Sequence, residues 1–287
     1  MNNLLFDLSG KIDRQTIDAL AAVKRIADSL NIRFFIVGAT ARDLILQYCY
    51  GIESPRRTED IDLGVEIANW DEFGRLTTAL METGEFSPAR EKHRFLFGHV
   101  RIDIIPFGPI TDEHMRISWP PEHEIIMNMA GFEEVYEHSI TIRLRSAPEL
   151  DVKLPTLPGL AILKIISWEQ RYPERKKDAE DLLFIMRKYE DAGNTDRLYD
   201  IELNLLIEES FDTTHAGARL LGRDMANIAN PGTLNALKKI LEDETGDRSQ
   251  FKLVTDMARG TLNIGDNFDR VLLLVEKLKQ GLIEGAP

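Results

Sequence analysis

A chain of 287 residues with 43% hydrophobic content has the makings of a globular protein with a sizeable core, in one large domain or two ordinary ones. Its 35 basic and 48 acidic residues leave a formal charge of −13, which excludes a general nucleic-acid coat but suits a cationic substrate or a basic partner. No window approaches the roughly 18 to 20 consecutive apolar residues of a membrane span, and the opening MNNLLFDLSGK lacks a signal peptide's basic and apolar regions, so a cytoplasmic location without membrane contact is expected. The single cysteine, Cys49, cannot form an internal disulfide, and the histidines show no zinc-site spacing.

In chain order, residues 13–30 predict a helix, with Asp13 as its cap and Ile17, Leu20, Val23, Ala27 and Leu30 on the inward face. RFFIV, residues 33–37, reads as a short apolar strand ended by Gly38, and ATARDLILQY can start a helix at once. After the turn-rich GIESPRR comes a strand of strict alternation. Asp60, Asp62 and Glu66 fall on one side of it, and Ile61, Leu63, Val65 and Ile67 on the other. Asn69 with Glu72 makes a capping box for the next helix, whose inner face carries Phe73, Leu76 and Leu80. HRFLFGHVRIDIIPFG predicts two strands about Gly98, with Asp103 in the second. Residues 111–155 are harder to read, although SITIRLR suggests a strand and LPTLPG a linker. Helices are expected at 158–171, 173–189, 197–209, 215–229, 231–243 and 266–282, which gives a domain over 1–155 and a helical domain over 156–287.

Two aspartates one residue apart on a strand project together and repel. One reading is a solvated strand face. The other is that hard divalent cations, which prefer carboxylate oxygens, relieve the repulsion, with a third carboxylate, Asp103, contributed by a neighbouring strand. A pair of such ions suits phosphoryl or nucleotidyl transfer. The order of strand, glycine turn, helix and acidic strand favours the second reading.

FFIVGATARDLIL, TEDIDLGV and VRIDIIPF together resemble the DNA polymerase β-like nucleotidyltransferases. Within that group RRTEDIDL and LPGLAILKIISWEQRYPERKKDAEDLLFIM look most like the AbiEii-type toxin family. The resemblance covers roughly residues 33–187. It implies an α+β fold, with an N-terminal polymerase β-like mixed sheet flanked by helices and a helical domain after it. It further implies that Asp60, Asp62 and Asp103 are catalytic and bind magnesium, two ions with manganese as an alternative. Gly38, Ala39 and Thr40 would form the nucleotide-binding turn, Arg57 would contact a phosphate oxygen, and Lys164 would neutralise triphosphate charge with Asp178 beside it. Ala39 stands where the family usually has Gly or Ser, and the long interval from Gly38 to Asp60 suggests an extended loop over the site.

The expected activity is transfer of a nucleoside monophosphate from a nucleoside triphosphate to a hydroxyl of a macromolecular acceptor. The acceptor could be tRNA, and the protein could be the toxin of a pair restrained by an antitoxin protein. The competing readings are an antibiotic-modifying type of small-molecule nucleotidyltransferase, a CCA-adding tRNA enzyme suggested by VGATARDLIL, and an inactive interaction module with the same fold. His215, Arg219 and Arg223 form a basic helix stripe expected to touch substrate.

Overall fold

The structure, a computed structural model, describes residues 4–54, 58, 60–174, 176–246, 249–259 and 264–285. The chain divides into two compact units, Met1–Thr156 and Leu157–Pro287.

The first unit is built on a five-stranded mixed sheet. Its strands are β2 (Phe34–Val37), β3 (Asp60–Glu66), β4 (Phe86–Pro88), β5 (Arg94–Phe97) and β6 (Val100–Phe107), in the order β2-β3-β6-β5-β4. Only β3 and β6 run parallel, joined by a crossover that includes α3 (Trp70–Glu82); the other neighbours are antiparallel. Ile61, Leu63 and Val65 of β3 and Ile102 and Ile104 of β6 form a dry face, each at most 2% exposed. Burying a side chain of this size contributes about 1.5–3 kcal/mol. α1 (Arg14–Ser29) packs against α3 and β6, with Ile17, Leu20, Val23 and Ala27 buried. Both helices are capped as their sequences predict, Asp13 accepting from the Thr16 N–H and Asn69 from the Glu72 N–H.

On the opposite face, Gly64 leaves room for Phe35, whose ring would lie 2.4 Å from an added Cβ. Phe35 meets Phe107, Phe132 and Tyr136 edge to face there, and Phe107 packs at a tilt on Phe132 and Tyr136. Phe132 and Tyr136 belong to the short helix α4 (Phe132–Glu137). The part of the chain that was hard to read resolves into the hairpin β7 (Arg116–Ser118) and β8 (Ile126–Asn128), then α4, β9 (Ile140–Ser146) and β10 (Glu149–Leu154). β9 and β10 complete a second sheet with β1 (Leu4–Asp7), a strand the sequence does not announce because it has no alternation and pairs in parallel with distant β9.

The second unit is helical, as expected. α5 (Leu157–Arg171) is buried on almost every side, with α6 (Lys176–Lys188), α9 (Thr213–Ile228) and α10 (Pro231–Thr245) packed on it. α11 (Lys252–Arg259) and α12 (Ile264–Glu284) follow. α9 and α12 lie backbone to backbone, since a Cβ on Gly281 would sit 1.8 Å from the Arg219 carbonyl oxygen. The single helix expected at 197–209 is two short ones, α7 (Thr195–Tyr199) and α8 (Leu203–Glu208). Glu202 is drawn to Arg197 and Arg223, which turns the chain at Asp200 and leaves Ile201 outside. α11 was not expected.

Candidate active site

The site begins where β2 ends. All four residues of β2 are buried, and Gly38 turns the chain with a φ of +69° into α2 (Gly38–Asp43), which continues as a π-helical segment through Cys49. The interval before Asp60 is therefore helical for half its length rather than one extended loop. A Cβ on Gly38 would stand 2.1 Å from Asp62 Oδ2, so any other residue there collides with that carboxylate. Glycine is demanded both by the left-handed backbone and by this contact. The Thr40 hydroxyl donates to the Asp60 carbonyl oxygen at 2.6 Å and ties the first turn of α2 to β3. Ala39, in the same turn, is half-buried. Arg42 is fully buried and binds Asp43 through Nε and Nη2 at 2.9 and 2.6 Å.

Strand register fixes the carboxylates. Val37, Asp62, Asp103 and Arg94 lie in one row across β2, β3, β6 and β5, and Asp60 lies opposite Arg101 in the row toward the start of β3. Partners directly across a ladder share a face, and so do residues two apart on a strand, so Asp60, Asp62 and Asp103 are on one side of the sheet.

The arginines of this face were not among the expected site residues. Arg94 forks Asp103, Nε to Oδ1 at 2.7 Å and Nη2 to Oδ2 at 2.8 Å, and His93 Nε2 lies 3.9 Å from Oδ2. The hydrogen bond to Asp103 is the leading reason the Arg94 pKa is raised. Arg101 Nε comes within 2.5 Å of Asp60 Oδ1, but its N–H is not aimed at that oxygen, which is shut off from water and accepts no hydrogen bond. At that distance the guanidinium balances the charge of Asp60.

Magnesium is often held by one or two carboxylates, with water and substrate phosphates filling the remaining positions. Among the described residues no three His, Cys, Asp or Glu side chains are gathered closely enough to enclose a metal ion by themselves. The Asp60 oxygen that accepts no hydrogen bond, the Asp62 carboxylate against Gly38, and the lone pairs Asp103 keep beyond its fork with Arg94 nevertheless fit, as oxygen donors, a cation whose shell the substrate completes.

Arg57 lies outside the described residues. In the second unit Lys164 and Asp178 come together: Lys164 Nζ is 2.7 Å from Asp178 Oδ1 and 2.7 Å from Asp181 Oδ2, and the Ser167 hydroxyl donates to Asp178 Oδ2 at 2.8 Å. All three charged groups are buried. Burial opposes the lysine's charge, but the two aspartates outweigh it and raise its pKa.

The basic stripe on α9 is a correction. Arg219 is 5% exposed, its guanidinium bound to Glu208, Glu209 and Glu284, and Arg223 binds Glu202 and Glu284. These arginines lock α9 to α8 and α12 instead of presenting a face to substrate.

The model of the family described as nucleotidyl transferase AbiEii toxin, type IV TA system, matches residues 19–272. No curated protein matches. Among solved structures the chain is similar to the antibiotic-resistance factor ANT(2'')-Ia, at 13% identity over 69% of this chain and 98% of that one, with a TM-score of 0.35. It is also similar to an antigenic nucleotidyltransferase-like protein from Paracoccidioides brasiliensis (20% identity, 73% and 94% covered, TM-score 0.39) and to a CCA-adding enzyme solved with CTP (16%, 83% and 54%, 0.32). The assignment rests on the family match, which takes in both units. The chain belongs to the AbiEii nucleotidyl transferase toxin family of type IV toxin–antitoxin systems and is a nucleotidyltransferase.

Proposed function

We propose that the protein transfers a nucleoside monophosphate from a nucleoside triphosphate to a hydroxyl of an RNA acceptor such as tRNA, with magnesium, as the toxin of a pair with an antitoxin. The observation that carries the reading is the pairing of Asp62 with Asp103, with Gly38 against the Asp62 carboxylate and Asp60 two residues away on the same face. Asp60, Asp62 and Asp103 would hold the cations, two magnesium ions or manganese in their place. A divalent cation held there would neutralise charge on the α-phosphate and on the departing pyrophosphate.

The chain's own groups do the rest. Gly38 lets backbone approach the nucleotide where a side chain would block it, and the first N–H groups of α2 have no partner within the helix and suit phosphate oxygens. Arg94 holds Asp103 in one orientation, so that Asp103 aligns the acceptor hydroxyl rather than moving freely to it. The acceptor oxygen forms its bond to the α-phosphorus as the bond to the bridging oxygen breaks. Pyrophosphate leaves with that electron pair, and the hydroxyl proton passes to solvent. The part of Lys164 and Asp178 in nucleotide binding rests on the resemblance of their segment.

The test is incubation of the wild type and Asp62→Ala with each α-labelled nucleoside triphosphate, magnesium and total cell extract, then separation of RNA, protein and small molecules. Label in RNA, made only by the wild type and abolished by EDTA, is the expected result. Label in small molecules would move the acceptor to the antibiotic-modifying class. Equal labelling by Asp62→Ala would overturn the carboxylate assignment.

A further inference from the structure

A cavity of about 310 Å³ opens at the other end of β2 and β3 from the carboxylates, between the end of α1, the start of β2, α4 and the β9–β10 hairpin. It lies wholly within the first unit. Its volume is near the lower end of the range for small-molecule pockets, about 300–1,000 Å³, which limits the ligand to a small one.

The charges around it are unevenly satisfied. The two acidic side chains in its wall are already paired, Asp28 with Lys24 at 2.9 Å and Asp151 with the guanidinium of Arg143 at 2.8 and 3.0 Å. Of the basic ones, Arg33 has Glu66. Lys153 has no carboxylate partner among the described residues. Its Nζ donates to the Ser139 hydroxyl at 3.0 Å and stands 4.7 Å above the centre of the Tyr136 ring, while the Arg33 guanidinium lies 5.4 Å from the same centre. Two cations thus converge on one aromatic ring, and of the two only Arg33 is paired with a carboxylate, Glu66. Burial, and then the charge of Arg33, lower the Lys153 pKa, as expected of an ammonium that lacks a counterion. A doubly charged anion seated across Lys153 and Arg33 would supply that counterion and accept from both donors.

We infer that this cavity binds a phosphate group through Lys153 and Arg33, at a site separate from Asp60, Asp62 and Asp103. The group can arrive as free phosphate or pyrophosphate, or as the phosphate of a nucleotide. A site for any of these lets a reactant or product of nucleotidyl transfer be sensed at the far end of the strands that carry the carboxylates.

The experiment is calorimetric titration of the full chain, without divalent cations, with inorganic phosphate, pyrophosphate, AMP and, as a control, acetate. Wild type, Asp62→Ala, Lys153→Met and Lys153→Arg are compared. The expected result is saturable binding of at least one phosphate compound, not of acetate, unchanged in Asp62→Ala. Binding should weaken about tenfold or more in Lys153→Met, as for loss of a charge-assisted hydrogen bond, and largely persist in Lys153→Arg. The compound that binds most tightly identifies the source of the phosphate. A second measurement needs no variant: amine acylation of the wild type, read by mass spectrometry, should show Lys153 protected by that compound and exposed Lys11 unprotected. Absence of saturable binding, unchanged binding in Lys153→Met, loss of binding in Asp62→Ala, or absence of protection at Lys153 would each overturn the inference. None of these outcomes depends on nucleotidyl transfer.

Discussion

Gly38→Ala tests the construction of the candidate site most directly. The new methyl group would be placed 2.1 Å from Asp62 Oδ2 on a backbone with φ of +69°. Forcing an L side chain into the left-handed region costs about 1–2 kcal/mol. Pushing the Asp62 carboxylate off its rotamer to clear the methyl adds about 0.5–1.5 kcal/mol. The expected loss is about 1.5–3.5 kcal/mol, read as a lower urea midpoint at unchanged slope. The two contributions separate in a double-mutant cycle. Asp62→Ala removes the oxygen and Cγ that the methyl meets but leaves the backbone cost in place, so the pair should couple by about 1 kcal/mol. Nucleotidyl transfer should fall in Gly38→Ala because Asp62 is displaced. A Gly38→Ala protein as stable and active as the wild type, or a cycle with no coupling, would refute the argument that this glycine exists to admit Asp62.

Lys164→Met should destabilise the second unit by about 3–5 kcal/mol in urea denaturation, because it leaves Asp178 and Asp181 buried without their cation, and adding Asp181→Asn should recover part of the loss. A change under about 1 kcal/mol would mean that the triad is solvated. At Glu284 burial pushes the carboxyl pKa up, but hydrogen bonds from Arg219, Arg223 and Gln280 outweigh it and bring it down to about 2 from 4.5. A depressed carboxylate contributes stability above its unfolded value and loses it as pH falls, here between 4.5 and about 2. Glu284→Gln should therefore flatten that part of the acid-unfolding curve, and an unchanged curve would count against the α9–α12 lock.

The carboxylate face was legible because a strand repeats every two residues. Asp60 and Asp62, two apart on one strand, share a side by that period alone, and Asp103 joins them through the pairing of β3 with β6. The arginines were missed for two different reasons. Arg94 could have been found: β5 and β6 join through Gly98 and His99, and pairing Phe97 with Val100 across that turn brings Arg94 opposite Asp103. Arg101 could not, since its place beside Asp60 depends on the parallel pairing of β3 with β6, which no local pattern encodes. The α9 stripe misled for a similar reason. Helical spacing gathers Arg219 and Arg223 on one face, but Glu284, which binds both, comes from the last helix. The Lys164–Asp178 contact was anticipated from the sequence, whereas its nearly complete burial shows only in the packing of α5 and α6.

The chain's first strand is among the last parts of its unit to find its place. β1 pairs with β9 through Leu4 and Thr141, and Asp62 meets Asp103 only after the crossover has closed. Loops of that span lose conformational entropy before their contacts repay it. During synthesis β1 emerges long before β9 and must wait, with its backbone hydrogen bonds given to water, until β9 is made. The carboxylate face likewise waits for β6, so a chain arrested before Val100 has Asp60 and Asp62 but no Asp103 to complete the face.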